Sequence, residues 1–565
     1  MNKADTTTIQ KFDVSLFINK HKYLIALGVF ISYLCLSMYK IGNNSLWYDE
    51  GFSIDLAHDS IDSIILSSLR DDPNPPLYII ILHYWISVFG DSETGLRSLS
   101  AVAMSLAGSI LFLFCRRFFN WQTAIFATLF FFTSNEIYYY SEEGRTFGLI
   151  ILFCTLSIYS FMNLIKSPNW KNTLFLGIFN AIIFYLHTLA SLWFVAQIIL
   201  IFILAFKKEI DFSKDKITNS FLGYNFRHIW YYLSSWAVFY VLFFPWQNRF
   251  FELLHQTGGG FWLPKPSLWD LKKCLFEFHN SKELFFVYFI LFIVILIIIV
   301  SAKKYREDSF DYKLILAPLI MGPLLMCINY IVSIYTTPIF LKRYILFSLL
   351  GFFIAYSYVF SLLKIDFKIK ISLFFILIIF TASKMVLPRD SWYDFKSGVE
   401  LIKKAENSRC FIYTDMPTLF AYYLDKDKIF NTPRGEQRDK LLAEHGVYYI
   451  SNIYWPNTLD YSKYDDVYYT ETFAGYADPN HSIDSTLSKK LILVEDIKIK
   501  GIHIAHYVVP VNKDSLIKVL KQEIKLNEGW YKQIIQKAKE RNISTDSMLT
   551  LDAIWNFEQK YKPKR

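Results

Sequence analysis

Paired cysteines are missing from this 565-residue chain. Its six cysteines, Cys35, Cys115, Cys154, Cys274, Cys327 and Cys410, form no CxxC pair, and four lie in apolar runs. Neither a disulfide framework nor a zinc ribbon is indicated. Charge is scarce too. Asp, Glu, Lys and Arg supply 19% of residues against 53% hydrophobic and 19% aromatic, which excludes an ordinary soluble protein of this length. No small-residue cleavage site follows the first apolar run, so that run reads as an uncleaved first span. No solenoid-type repeat or low-complexity tract is present. The glycine run at 258–260 lacks the Lys-Ser/Thr of a phosphate loop.

What is there is hydrocarbon. About eleven apolar runs between residues 23 and 387, among them 122–140 and 313–334, are read as membrane spans. Basic residues follow the alternate spans: Arg116 and Arg117, Lys166 and Lys171, Lys207, Lys208, Lys214 and Lys216, Lys303, Lys304 and Arg306, then Lys364, Lys368 and Lys370. All share one side with Lys20 and Lys22 if residues 1–22 are cytoplasmic, as the positive-inside rule requires. The net charge of +9 is therefore a topology signal and no argument for nucleic acid. The stretch "PPLYIIILHYWISVFG" (75–90) holds only about thirteen residues between Pro76 and Gly90, which suits an interfacial helix. Asn74 is placed to cap it. The outer face then carries the first loop (42–97) and a tail of different composition (388–565). "RCFIYTD" before "PTLFAYYL" predicts strand then helix, "ILVEDIKIKGIHIAHYVV" a hairpin, and Ser515 to about Lys560 helices, with Ser544 or Thr545 as a cap. The expected fold is mainly α. It comprises a polytopic transmembrane bundle (23–387) with juxtamembrane helices in the first outer loop, and a C-terminal soluble α/β domain (388–565).

Some charges on the outer rim have no topological explanation. They are Asp49, Glu50, Arg70, Asp71 and Asp72 in the first loop, Glu142, Glu143 and Arg145 in "YYYSEEGRTFG", and His187, Arg249, His255, Lys342 and Arg343 further on. Each has an ordinary reading. An acidic pair near a membrane is usually a wet loop. A helix-end histidine is usually hydrogen-bonded. Trp246 and Trp262 are interfacial anchors by default. A Lys-Arg pair at a span end snorkels to headgroups. Together, acids, a histidine and outer-end cations on one face suit sugar transfer from a lipid phosphate. That reaction needs a carboxylate to deprotonate the acceptor hydroxyl and a cation to receive the phosphate.

The motifs run in the order of a known superfamily: "WYDEGFS", "NPPLYIIILHYWISVFG", "ETGLRSLSAVAMSLAGSI", "YYSEEGRTFGL", "YLHTLASLWFVAQ" and "PIFLKRYILF". Over roughly residues 20–425 the chain resembles the GT-C superfamily of integral membrane glycosyltransferases. The similar branch holds the dolichyl-phosphate-mannose protein mannosyltransferases and the bacterial lipid A aminoarabinose transferases. The resemblance implies Asp49 as catalytic acid/base with Glu50 beside it. It implies that Glu143 and Arg145 shape the site, and that Arg343 meets the donor phosphate with Lys342 as a second cation. His187 joins these as a substrate-binding candidate. Asn74, Gly144 and Phe147 depart from the family pattern, which has His or Lys, Ala and Tyr at these positions.

The expected function is an inverting glycosyltransferase of the bacterial inner membrane. It would use a polyprenyl-phosphate-linked sugar and a periplasmic acceptor, whether lipid A, polysaccharide, glycolipid or protein. No cofactor is required by the sequence, a divalent cation is possible, and no ligand constellation names a metal. The rivals are a polyprenyl-pyrophosphate glycan ligase or polymerase, a lipid or sugar transporter, and a non-catalytic scaffold.

Overall fold

The computed structural model describes residues 13–70, 74–205, 226–258, 263–301, 312–389, 391, 393–403, 410–430, 432, 434–449, 460–472, 478, 480, 482–509 and 513–560. Asp71, Asp72, Lys207, Lys208, Lys214, Lys216, Gly259, Gly260, Trp262, Lys303, Lys304 and Arg306 lie outside the described residues. The chain divides into two compact units. One comprises Met1–Gly42 and Ser60–Asp390; the other comprises Asn43–Asp59 and Ser391–Arg565.

Every apolar run in the first unit is helical. The helices include Lys22–Ser37, Glu93–Phe118, Phe147–Lys166, Trp170–Leu186, Leu192–Ala205, Phe226–Phe243, Lys282–Ser301, Ser348–Ser361 and Phe367–Ala382. Polar residues start several of them. Ser92, Asn120 and Asn169 accept the N–H groups of Gly95, Thr123 and Asn172 at 3.1, 2.9 and 3.0 Å. Among the described residues, Glu93–Phe118, Phe147–Lys166, Lys282–Ile299 and Ile315–Tyr335 are each long and apolar enough to cross a membrane. Val14–Lys20 and Lys22–Ser37 together pass the same test but are bent by 78°. The other helices are shorter.

Two runs read as continuous are interrupted. The run expected at 122–140 is two helices, Trp121–Thr133 and Asn135–Ser141. Ser134 is extended between them and accepts the Ile137 N–H at 3.4 Å. The run expected at 313–334 has a π turn at Ile320–Leu324, with Pro318 just before it and Pro323 inside it, where prolines remove N–H donors.

The short helix Leu77–Phe89 has the expected length. Its cap position is Pro76, without a side-chain cap, so Asn74 does not cap it; the two prolines place the helix start beyond the asparagine's reach. Ile79, Leu82 and Ile86 face inward. Trp85 donates its Nε1–H to Ser98 Oγ at 2.9 Å, which ties this helix to Glu93–Phe118. Inside the bundle a polar knot joins three helices. Ser157 donates to Asn180 at 2.7 Å, Asn180 to Gln197 at 2.9 Å, and Gln197 back to Ser157 at 2.8 Å. Such bonds hold helices where burial of apolar surface no longer discriminates.

The second unit carries a five-stranded sheet: β1 (Cys410–Thr414), β2 (Val447–Tyr449), β3 (Asp466–Glu471), β4 (Ile492–Ile499) and β5 (Ile502–Val508), in the order β2-β1-β3-β5-β4. β1 is parallel to β2 and β3; β5 is antiparallel to β3 and β4. The expected strand–helix pair is β1 followed by Pro417–Phe430, and the expected hairpin is β4–β5 with Gly501 at φ +70°. Phe411, Tyr413, Val467, Tyr469 and Tyr507 fill one core. The helices Lys513–Leu526, Glu528–Glu540 and Thr545–Lys560 build another around Ile524, Ile534 and Leu549. Ser544 is the cap, accepting the Ser547 N–H at 3.0 Å.

A Cβ on Gly351 would collide with the Gly322 nitrogen and the Pro318 carbonyl, both backbone, whereas a Cβ on Gly28 meets nothing within 4 Å. Gly351→Ala is therefore expected to destabilise the helical unit by about 1–3 kcal/mol. Gly28→Ala is expected to leave it unchanged. Thermal unfolding in detergent compares the two, and equal midpoints would contradict the packing described.

Candidate active site

The acidic motif folds as the helix Tyr48–Ala57, and it belongs to the second unit. Ser45 donates to the Tyr393 carbonyl at 2.7 Å and accepts the Phe395 N–H at 3.1 Å. The Leu46 N–H donates to the Tyr423 hydroxyl at 2.7 Å. A Cβ on Gly51 would strike the Leu419 side chain, so the helix lies flush against Pro417–Phe430. Glu50 is 0% exposed and turns back to accept the Trp47 N–H at 3.3 Å, capping its own helix. Asp49 is half-buried one position earlier, with its carbonyl accepting from Ser53 at 2.8 Å. Further along the helix, Asp55 is ion-paired with Arg438, and Asp59 accepts Arg434 Nε at 2.8 Å. His58 stacks on Phe430 with centroids 5.1 Å apart.

The helical unit holds Glu143, Arg145, His187, Lys342 and Arg343. Their backbone positions are fixed by neighbouring helices. Ser100 donates to the Arg145 carbonyl at 3.0 Å, and Thr146 donates to the Leu186 carbonyl at 3.2 Å. His187 ends the helix Trp170–Leu186, and its Nδ1 accepts the Leu189 N–H at 3.1 Å. A ring nitrogen that accepts carries no proton, so this imidazole is neutral. The positive charges of Arg145 and Arg343 both bear on it. Phe147 and Tyr344 flank the ring at 6.2 and 5.2 Å. Glu143 and Arg343 also bear on the buried Tyr140, together with Glu136. Phe147 and Tyr344, within two residues of Arg145 and Arg343 in the chain, thus meet at the His187 ring.

Lys342 is engaged differently. Its Nζ lies 2.9 Å from Glu136 and 3.4 Å from Glu277. Burial works against its charge, the two carboxylates outweigh burial, and its pKa is raised. Glu142 is buried, which lifts its carboxyl above the usual range. The Tyr138 hydroxyl (2.7 Å) and the Arg389 N–H (2.8 Å) pull the other way. Arg389 also donates to the Glu142 carbonyl at 3.1 Å and lies over the Tyr139 ring at 4.4 Å.

Of the sequence candidates in the first unit, Arg145 and Arg343 both bear on His187, whose ring meets Phe147 and Tyr344, and Glu143 precedes Arg145 by two residues. Lys342 sits in the same turn as Arg343, between carboxylates. Asp49 and Glu50 are adjacent on the helix of the second unit. Glu136, Glu277, Arg389, Arg434 and Arg438 escaped the sequence reading. Glu136 and Arg389 had a visible signal, being charges at the very end of apolar runs. The Gly144 departure has a local cause: a Cβ there would strike Leu96. Among the described residues no three His, Cys, Asp or Glu side chains group as metal ligands.

Residues 73–223 match the family model "Dolichyl-phosphate-mannose-protein mannosyltransferase". No curated protein sequence matches the chain. Two solved structures of ArnT from Cupriavidus metallidurans are similar in fold. The apo form matches with a TM-score of 0.53 and the form bound to undecaprenyl phosphate with 0.51. Each is 9% identical and covers 88% of this chain and 98% of its own.

Removing the Lys342 ammonium would leave Glu136 buried and uncompensated. Lys342→Met is expected to cost about 3 kcal/mol, with most of it regained in Lys342→Met/Glu136→Gln. Unfolding of both variants in detergent measures the difference, and an equal loss in the double variant would contradict the pairing.

Proposed function

We propose, for a chain built on the GT-C fold of membrane glycosyltransferases, that it transfers a sugar from a polyprenyl monophosphate to an acceptor hydroxyl with inversion. The single observation that carries this reading is the pair of arginines, Arg145 and Arg343, converging beside a neutral histidine. Both guanidiniums bear on that ring, and guanidinium binds phosphate bidentately. The undecaprenyl phosphate bound to a structure of the same fold supports a lipid phosphate as the donor.

Asp49 takes the acceptor proton, the acceptor oxygen forms a bond to the anomeric carbon, and the bond from that carbon to the phosphate oxygen breaks. The electron pair leaves with the polyprenyl phosphate, whose added charge Arg343 and Arg145 receive. Glu50 holds the turn that presents Asp49. Glu143 orients Arg145. Lys342, clamped by Glu136 and Glu277, fixes the turn that carries Arg343. We place the protein in the bacterial inner membrane, with the N-terminus cytoplasmic and residues 388–565 periplasmic. Lipid A, a surface polysaccharide, a glycolipid and a protein are the acceptor classes.

Asp49→Asn is expected to lower transfer by roughly 10²–10⁴-fold at normal protein level, the usual contribution of a positioned base. Arg343→Ala is expected to raise the KM for the lipid donor and lower kcat, with Arg343→Lys recovering only part. Mass spectrometry of envelope lipids and glycans with and without the protein reads out both donor and acceptor. Undiminished transfer by Asp49→Asn would overturn the base assignment.

A further inference from the structure

Three features take no direct part in the chemistry assigned above. The aromatic pocket lined by His279, Tyr288 and Tyr356 spends its polar groups internally, His279 Nε2 lying 2.9 Å from the Tyr356 hydroxyl. The acidic residues beyond β1 and β3 are spent internally. Asp415 accepts the Thr472 N–H at 2.8 Å, and Asp478 accepts the Ser482 and Ile483 N–H groups at 2.9 and 2.8 Å. The clamp on the helix Tyr48–Ala57 is the third feature, and it leads further.

That helix is ten residues long and too short to hold its shape alone in water. The second unit grips it at both ends. At its start, Ser45 and Leu46 bond to Tyr393, Phe395 and Tyr423. At its end stand two ion pairs. Asp55–Arg438 is almost fully buried, with side chains 10% and 8% exposed. Asp59–Arg434 is partly exposed. Arg438 is in turn fixed, donating from Nε and Nη2 to the Thr432 carbonyl at 3.0 and 2.7 Å. A buried guanidinium that spends three nitrogens in this way has one geometry available, and it hands that geometry to Asp55.

We propose that Arg438 and Arg434 are positioning residues for Asp49, so that the C-terminal domain is a working part of the transfer machinery. The inference rests on the assignment of Asp49 as base. Neither arginine touches substrate. Each acts through the helix, setting its axial position and rotation and with them the direction of the Asp49 carboxylate one to two turns away. Misplacing a catalytic group by about 1 Å costs on the order of 10²-fold in rate.

The test uses the full-length protein in membranes and follows three quantities: kcat, the KM for the lipid donor, and hydrogen exchange of the amides at 48–57. Arg438→Ala is expected to raise exchange across the helix and lower kcat by roughly 10–100-fold, with KM changed less than about twofold. Arg434→Ala is expected to do the same more weakly. Arg438→Lys, which keeps a cation for Asp55 but not the paired bonds to the Thr432 carbonyl, is expected to restore part of both protection and rate, and it carries the test if Arg438→Ala fails to accumulate. Loosened amides with an undiminished kcat, or restored protection without restored rate, overturns the proposal. If Asp49→Asn itself keeps full activity, the base assignment fails. The clamp is then judged on the exchange data alone, as a purely structural one.

Discussion

Carboxylates removed from water must be compensated, and this requirement organises the protein. Glu136 is held by Lys342, more than two hundred positions away, and Glu142 by Arg389 at a similar separation. Asp55 is held by Arg438 across 383 positions. Glu50 is compensated locally, by the N–H at the start of its own helix. Each acid therefore fixes a segment of chain to a remote one. Hydrocarbon packing alone discriminates poorly between helices in a bilayer, so polar ties of this kind carry much of the specificity.

The two units use the same device for different ends. In the helical unit, Lys342 is pinned between two glutamates, which leaves the neighbouring Arg343 as the cation of that turn that bears on the His187 ring. In the second unit, arginines pin the carboxylates of a helix, and the residue of interest is again a neighbour in sequence, Asp49. In both places the strongly engaged charge is structural. The charge assigned to chemistry stands beside it in the chain.

Much of this was legible in the sequence. Hydropathy located the long apolar helices among the described residues, because apolar length is decisive in such chains. The β4–β5 hairpin, the β1 strand and the helix cap near residue 544 followed from alternation, a Lys-Gly turn and a Ser before a helical pattern. The break at Ser134 was not legible, since an extended serine that recaps the next helix looks like any polar residue inside an apolar run. Asn74 misled because prolines moved the helix start past it. The grouping of residues 43–59 with the tail was invisible for a deeper reason. Their partners Tyr423, Arg434 and Arg438 are surface-like residues in sequence, and only folding makes them interior. Of the candidate site, the residue types stood in the sequence; the engagement of Lys342 was not readable, because its carboxylate partners lie on other elements.

The polypeptide passes between the two units three times, at 42/43, 59/60 and 390/391. A ribosome must therefore release the acid-bearing helix long before it makes the arginines that seat it. At about 5–20 residues per second, the interval between Asp55 and Arg438 is roughly 20–80 seconds. Through that time the acid-bearing helix has no seat. A chain cut short before β1 lacks Tyr423, Arg434 and Arg438, and with them the platform for its acidic motif.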